Sequence, residues 1–364
     1  MKRIAVLGGG NGGHAIAADL TCKGFDVRVF SRWPEEFKAL RDRGGIDFTD
    51  PSGGRFVPFN RVCGRIEEVL DGAEVILFTV PAIAHDYYAE ASAPYLKPDQ
   101  IVVLNPGSTG GALAFRKRLK DVESTWNGPI CETSTLTYIC RLVGPAKVKV
   151  TSRSRVQFAA LPGARTGECF QAFKELFPDA IEKRNVLETS LNNINAVLHP
   201  PGMILNAGWI EYSRGNFSYY CEGTTPAVAK VIETIDQERM ALCQKLGTSS
   251  ERFLDFFYKA GSTSEQAYRS GSVYRALQES EPNRFIRAPE SLSYRFLSED
   301  IPFGIVPMAC LGRMLGIDTP IIDVLINLAS LVNETDYWKT GWTLEKMGID
   351  GMGLEKLLDY VEHG

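Results

Sequence analysis

At 364 residues the chain is long enough for two domains with sizeable cores, and its net charge of −4, with no basic run, argues against a nucleic-acid surface. No apolar run reaches membrane-spanning length, and the N-terminus enters a strand at once rather than a signal peptide, so neither a membrane partner nor export is expected. Eight scattered cysteines without a C-x-x-C pair suit a reducing cytoplasm, and four histidines without H-x-x-x-H spacing speak against a metal site.

The first element is a strand near 3–7. It breaks into Gly-Gly-Gly-Asn-Gly-Gly at 8–13, with Gly8, Gly10 and Gly13 at G-x-G-x-x-G spacing and Asn11 and Gly12 inside the loop. Such a loop lets a strand turn sharply, lets backbone approach a pyrophosphate, and packs the following helix closely with its N–H groups toward the anion. A helix near 12–23 follows, as the motif requires, so a dinucleotide is expected here. The next strand, near 26–30, ends in Ser31-Arg32. NAD-binding chains usually place a carboxylate there; an arginine pairs instead with a 2′-phosphate, so NADP(H) is favoured over NAD(H).

Helices near 34–43, 65–71 and 84–95 alternate with strands near 74–79 and 101–104. This implies a doubly wound parallel sheet. Residues 44–60 read as a hairpin inserted into a crossover. Further strands are expected near 130–134, 146–151 and 156–160, and a helix near 164–177 closes a Rossmann domain of residues 1–184. From 185 to 364 strand-like runs vanish. Helices are expected near 186–198, 201–213, 226–246, 263–270, 304–316 and 319–334, the last starting at Thr319-Pro320. The fold class is therefore α/β, an N-terminal Rossmann sheet followed by an all-helical second domain. The helical half could support a homodimer, though no motif fixes one.

Ligands of open parallel sheets lie beyond the carboxyl ends of the strands. Val80-Pro81, the segment from Asn105 through Gly107 to Gly111, and Glu132-Thr133-Ser134 fall there. Together they suggest a cofactor and substrate cleft. Of the histidines, His363 sits at the chain end, His14 packs at the phosphate helix and His85 starts another helix. His199 remains, in Asn-Asn-Ile-Asn-Ala-Val-Leu-His-Pro-Pro. Asn192, Asn195 and His199 at i, i+3 and i+7 would share one helical face. Spacing alone leaves that stripe open between an interdomain contact and catalysis. An acid–base histidine wants a carboxylate partner. Glu299 and Asp300 both qualify and spacing does not choose between them, while Arg295 could pair with a substrate carboxylate.

These residues carry a resemblance that runs through nearly the whole chain. Gly-Gly-Asn-Gly-Gly-His (9–14), Val-Pro-Ala (80–82), Asn-Pro-Gly (105–107), Glu-Thr-Ser (132–134), Asn-Ala-Val-Leu-His-Pro (195–200), Glu-Gly-x-Thr-Pro (222–226) and Glu-Asp (299–300) together resemble the opine dehydrogenases of the octopine/nopaline type. The resemblance implies NAD(P)H-dependent reductive condensation of a 2-oxo acid, typically pyruvate, with the amine of an amino acid through an imine. It implies His199 as the catalytic histidine with Asp300 as its partner. It further implies Arg295 as a substrate-carboxylate binder and Glu132 and Thr133 as substrate contacts, with Asn195 a further candidate. Ser31-Arg32 is a departure, where a bacterial member carries an acidic residue. Two other readings compete. A ketopantoate-reductase-type enzyme would be expected to carry a lysine at the domain junction, and residues 185–200 hold none. A catalytically silent NADP(H)-binding sensor would bind cofactor without turnover.

Overall fold

The computed structural model describes residues 2–364. Its strands are β1 (Arg3–Leu7), β2 (Asp26–Phe30), β3 (Gly45–Asp50), β4 (Gly53–Pro58), β5 (Val75–Phe78), β6 (Ile101–Leu104), β7 (Ile130–Thr133), β8 (Tyr138–Gly144), β9 (Lys147–Arg153), β10 (Gln157–Leu161) and β11 (Ile181–Glu182). Seven of them form one sheet in the order β11-β10-β7-β6-β5-β1-β2. The five strands from β7 to β2 run parallel. Their unbroken apolar runs match burial on both faces; Val75-Ile-Leu-Phe is buried at every position. β10 enters antiparallel to β7, and β11 lies parallel to β10, so one edge of the sheet is finished by strands of opposite sense.

The hairpin read at 44–60 is β3 and β4. It belongs to a second sheet, β4-β3-β9-β8, rather than to an isolated insertion. The strand expected near 146–151 is β9, and it joins this small sheet; β8 has no counterpart in the sequence reading. One face of the small sheet, with Ile46, Phe48, Tyr138, Cys140, Val148 and Val150, shares a core with Ala15, Ile16 and Leu20 of the first helix, Asn11–Cys22. A buried ion site fixes that packing. The Asp19 carboxylate on the helix accepts from Tyr138 Oη (2.5 Å) and Arg153 (2.6 Å) and pairs with Lys23 (2.8 Å). Burial works to raise the Asp19 pKa, but these three partners outweigh it and hold the carboxyl below its ordinary range.

The chain forms two compact units. One holds residues up to Gly107, Gly111–Thr189 and Asp359–Gly364; the other holds Ser108–Gly110 and Ser190–Leu358. Residues 185–189, read from sequence as the start of the helical half, pack with the first unit. The second unit is helical, with Ile194–Leu205, Ala207–Ser213, Pro226–Leu246, Phe253–Lys259, Glu265–Arg269, Val273–Gln278, Val306–Leu315 and Pro320–Val332 as its longer pieces.

Two helix ends are built differently from the sequence reading. The helices read at 186–198 and 201–213 leave a break at His199-Pro200; instead the break falls at Asn192-Asn193, and Ile194–Leu205 runs through both prolines. Tertiary bonds set this. Asn192 Oδ1 accepts from the Glu251 N–H (3.2 Å) and Asn193 Nδ2 donates to Thr109 Oγ1 (3.2 Å), so both asparagines are held outside helical geometry. The cap expected from Thr319 is also displaced. The Glu238 carboxylate accepts from the N–H groups of Ile321 (2.9 Å) and Ile322 (3.0 Å), giving the helix Pro320–Val332 an anionic cap from another segment. A single π-helical turn, Ile301–Ile305, precedes Val306–Leu315 and starts directly after Asp300.

Candidate active site

The dinucleotide loop is built as its spacing demands. Gly8 adopts φ +115°, and a Cβ there would meet the Thr79 carbonyl oxygen at 2.5 Å. At Gly13 a Cβ would lie 1.8 Å from the Gly8 carbonyl oxygen, so only glycine lets the helix sit this close to β1. Gly10 is the contrast. A Cβ there would meet nothing within 4 Å, which leaves the backbone at the helix N-terminus open to an approaching anion. These residues fit a nicotinamide dinucleotide. Gly12 and Asn11 have other duties. Gly12 leaves room for Leu136, and Asn11 Oδ1 accepts from the Leu142 N–H of β8 (2.8 Å). The Asn11 amide oxygen thereby ties the loop to the small sheet.

The end of β2 holds a residue the sequence reading missed. Glu36, one turn beyond Ser31-Arg32, brings its carboxylate back to accept from the Gly9 N–H (3.1 Å) and from the Ser31 hydroxyl. The segment therefore does carry a carboxylate; it arrives from the 3₁₀ turn Pro34–Phe37 rather than from the strand end. Arg32 is exposed, and its guanidinium lies 5.1 Å from the ring centres of both Trp33 and Tyr87. Five-residue spacing across an irregular turn gives no sequence signal for Glu36.

At the other strand ends Val80 is buried, with Cγ1 against the turn at Gly8, while Pro81 is exposed. Asn105, Glu132 and Thr133 are all fully buried. Asn105 donates to Thr137 Oγ1 (2.9 Å) and accepts from Thr133 Oγ1 (3.0 Å) and the Thr137 N–H (3.2 Å). Glu132 accepts from the Ala112 N–H (2.9 Å) and from Thr189 Oγ1 (2.7 Å). Gly107 is glycine because a Cβ would collide with the Glu132 side chain at 2.5 Å. These bonds hold the three side chains in place at the strand ends. Glu132 caps the helix Gly111–Asp121 and pins residue 107, and Thr133 and Asn105 satisfy one another.

In the helical unit, three side chains meet in a line. His199 Nδ1 lies 2.7 Å from Asp300 Oδ2, and Nε2 lies 3.0 Å from the Tyr220 hydroxyl. Phe296 stacks on the imidazole at 3.7 Å with planes 16° apart. Tyr219 Oη donates to the His199 carbonyl (2.7 Å), holding the backbone beneath the ring. The carboxylate that sequence spacing left open is Asp300; Glu299 pairs with Arg295 instead (3.2 Å). Arg295 itself is exposed, on the short helix Arg295–Ser298.

The stripe Asn192–Asn195–His199 does not form, because the chain leaves helical geometry at 192–193. Asn195 is half-buried, one turn ahead of His199 on the same helix. Among the aromatic residues that follow this helix in the chain, Trp209 stacks on Phe217 (3.9 Å), Tyr212 is exposed, and Tyr219 and Tyr220 touch His199. The remaining histidines lie elsewhere. His14 Nδ1 faces the Gly10 carbonyl (3.1 Å), and burial drives the pKa of His85 down to about 3. Among the described residues no cluster of His, Cys, Asp or Glu is suited to a metal ion, all eight cysteines are free, and no helix is long and apolar enough to cross a membrane.

Comparison with known proteins relates the two parts of the chain to two family models. Residues 182–333 match the family described as NAD/NADP octopine/nopaline dehydrogenase, alpha-helical domain, and residues 4–163 match Ketopantoate reductase PanE/ApbA. The chain is 36% identical to an opine dehydrogenase of Arthrobacter sp. (strain 1C) over 99% of both chains. It shares its fold with octopine dehydrogenase solved with NADH and L-arginine (TM-score 0.81, 21% identity, 98% of both chains). It also shares its fold with NADP⁺-bound yersinopine dehydrogenase (TM-score 0.75, 13% identity, 100% of this chain and 98% of the other).

Proposed function

The chain belongs to the opine dehydrogenase family of the octopine/nopaline type, and from that premise we propose that His199, oriented by Asp300, is the acid–base group of its reaction. The protein is an NAD(P)-dependent oxidoreductase that condenses a 2-oxo acid reductively with the amino group of an amino acid. The observation that carries the assignment is the 2.7 Å contact between His199 Nδ1 and Asp300. A carboxylate only accepts, so it fixes the Nδ1–H tautomer and the ring orientation, which leaves Nε2 as the nitrogen that exchanges a proton. Loss of water from the addition product of oxo acid and amine needs such an acid. A nicotinamide cofactor held at the glycine loop would supply the hydride that reduces the resulting imine. Arg295, exposed and paired with Glu299, is proposed to anchor a carboxylate of the oxo or amino acid, with Asn195 one turn from His199 as a further polar contact.

For the cofactor we favour NADP(H) over NAD(H), on the exposed Arg32 held between Trp33 and Tyr87. Glu36 opposes it. A carboxylate on Ser31 and the Gly9 N–H repels a 2′-phosphate and suits a free ribose hydroxyl. Arg32→Ala is expected to lower kcat/KM for NADPH about tenfold or more while changing that for NADH little; Glu36→Gln is expected to move the NADPH/NADH ratio the other way. Steady-state kinetics with both cofactors check the pair, and an unchanged ratio in both variants would remove the segment from cofactor choice. Eight free thiols support a reducing, cytoplasmic setting.

The reaction is tested by incubating the protein with NADPH or NADH, pyruvate and pools of amino acids. Cofactor oxidation that requires both oxo acid and amine, with a secondary-amine dicarboxylate found by mass spectrometry, is the expected result. Oxidation with the oxo acid alone would point to a hydroxy-acid reductase.

A further inference from the structure

His199 has no ring nitrogen left to offer a substrate directly. Nδ1 faces Asp300 and Nε2 faces the Tyr220 hydroxyl at 3.0 Å, Phe296 covers a ring face, and the residue is only 6% exposed. The hydrogen positions follow from the partners. Asp300 accepts, so Nδ1 carries a hydrogen; in the neutral ring Nε2 is then an acceptor, and the Tyr220 O–H points at it. When the ring takes a second proton, Nε2–H donates to the phenol oxygen, and the Tyr220 hydrogen must turn away from the ring. The protonation state of His199 therefore sets where the Tyr220 hydrogen points.

We propose that Tyr220 is the group through which His199 passes its proton to the substrate, a further catalytic residue for the condensation. The inference rests on the reading of His199 as the acid. In the dehydration step, the hydroxyl oxygen of the oxo acid–amine adduct takes the Tyr220 hydrogen. Its C–O bond breaks and the electron pair leaves with it as water. The nitrogen lone pair forms the C=N bond of an iminium ion. The phenol oxygen receives the Nε2 proton at the same time. Tyr220 ends as it began, the imidazolium becomes imidazole, and nothing is oxidised or reduced. Tyr219 is the built-in comparison. It is fully buried next to Tyr220, with ring centres 5.0 Å apart, but its hydroxyl is tied to the His199 carbonyl and lies outside this path.

Tyr220→Phe keeps the ring and removes the relay. The expected result is a kcat lower by about 10²-fold with KM for the oxo acid changed less than about threefold, on the scale of a positioned acid–base group. A proton inventory in mixed H₂O and D₂O separates a relay from packing. The wild-type enzyme should give a curved plot, two protons moving together, and Tyr220→Phe a linear one. Cofactor binding, read by fluorescence titration, and the melting temperature should stay near wild type, and Tyr219→Phe reports what loss of a neighbouring hydroxyl does to stability. If Tyr220→Phe retains kcat, or gains activity because the hydroxyl was only competing with substrate for Nε2, the relay is overturned. If His199→Ala is also fully active, the acid assignment fails with it; if His199→Ala is dead while Tyr220→Phe is normal, only the relay fails.

Discussion

His199→Ala is expected to lower kcat by roughly 10²–10⁴-fold while the protein stays folded and binds cofactor. The imidazole bridges Asp300 and Tyr220 (2.7 and 3.0 Å), so its loss removes the acid and separates the two groups it joins. The truncation also leaves a gap beneath Phe296 and an Asp300 carboxylate without its partner, so some loss of stability is expected beside the kinetic one. Steady-state rates must therefore be measured well below the variant's own melting temperature. Asp300→Asn should show the smaller defect of a histidine that is present but free to take the wrong tautomer. Near-normal turnover of His199→Ala under those conditions would remove His199 from the mechanism.

The second large effect separates two uses of glycine in one loop. Gly10→Ala should leave the melting temperature close to wild type, because Gly10 has φ −75° and open space where the methyl would go. The same methyl stands where the backbone is expected to approach the pyrophosphate, so cofactor affinity should fall about tenfold or more, a cost of about 1.4 kcal/mol or above. Gly13→Ala should damage both properties. Its methyl would sit 1.8 Å from the Gly8 carbonyl oxygen, so the first helix must move off β1, at a cost of about 1–3 kcal/mol or more. Thermal unfolding with and without NADPH distinguishes the two. A Gly10→Ala protein that binds cofactor normally would show that the dinucleotide does not approach this turn.

The contrast also explains how much the sequence discloses. The strand–glycine–helix unit is legible because its requirements are local and steric. β2 reads to its residue boundaries because alternation and apolar runs are local too. The His199–Asp300 pairing spans about a hundred residues. Local pattern could name Glu299 and Asp300 as candidates but could not say which one turns inward past the π-helical turn at 301–305. Glu36 was invisible for a related reason, since an irregular turn folds it back onto Gly9. The asparagine stripe misled because Asn192 and Asn193 bond to Glu251 and Thr109, and such tertiary partners override the helical period. Glu132 and Thr133 lie at a strand's carboxyl end, as read from the sequence; their partners Ala112, Thr189 and Asn105 come from other segments and were not legible there.

The allocation of chain to the two compact units changes how this molecule can be taken apart. The chain passes between units at 107/108, 110/111, 189/190 and 358/359. The last residues return to the nucleotide unit, where Glu362 pairs with Arg184 (3.2 Å) and the Tyr360 ring lies under Lys120 (5.1 Å). No single cut yields two self-sufficient halves. A fragment ending at 189 lacks its own closing segment, and a swap of helical halves between relatives has to carry residues 108–110 along and leave 359–364 behind. Shortening the C-terminus, remote in sequence from the glycine loop, acts on the half of the protein that binds the nucleotide.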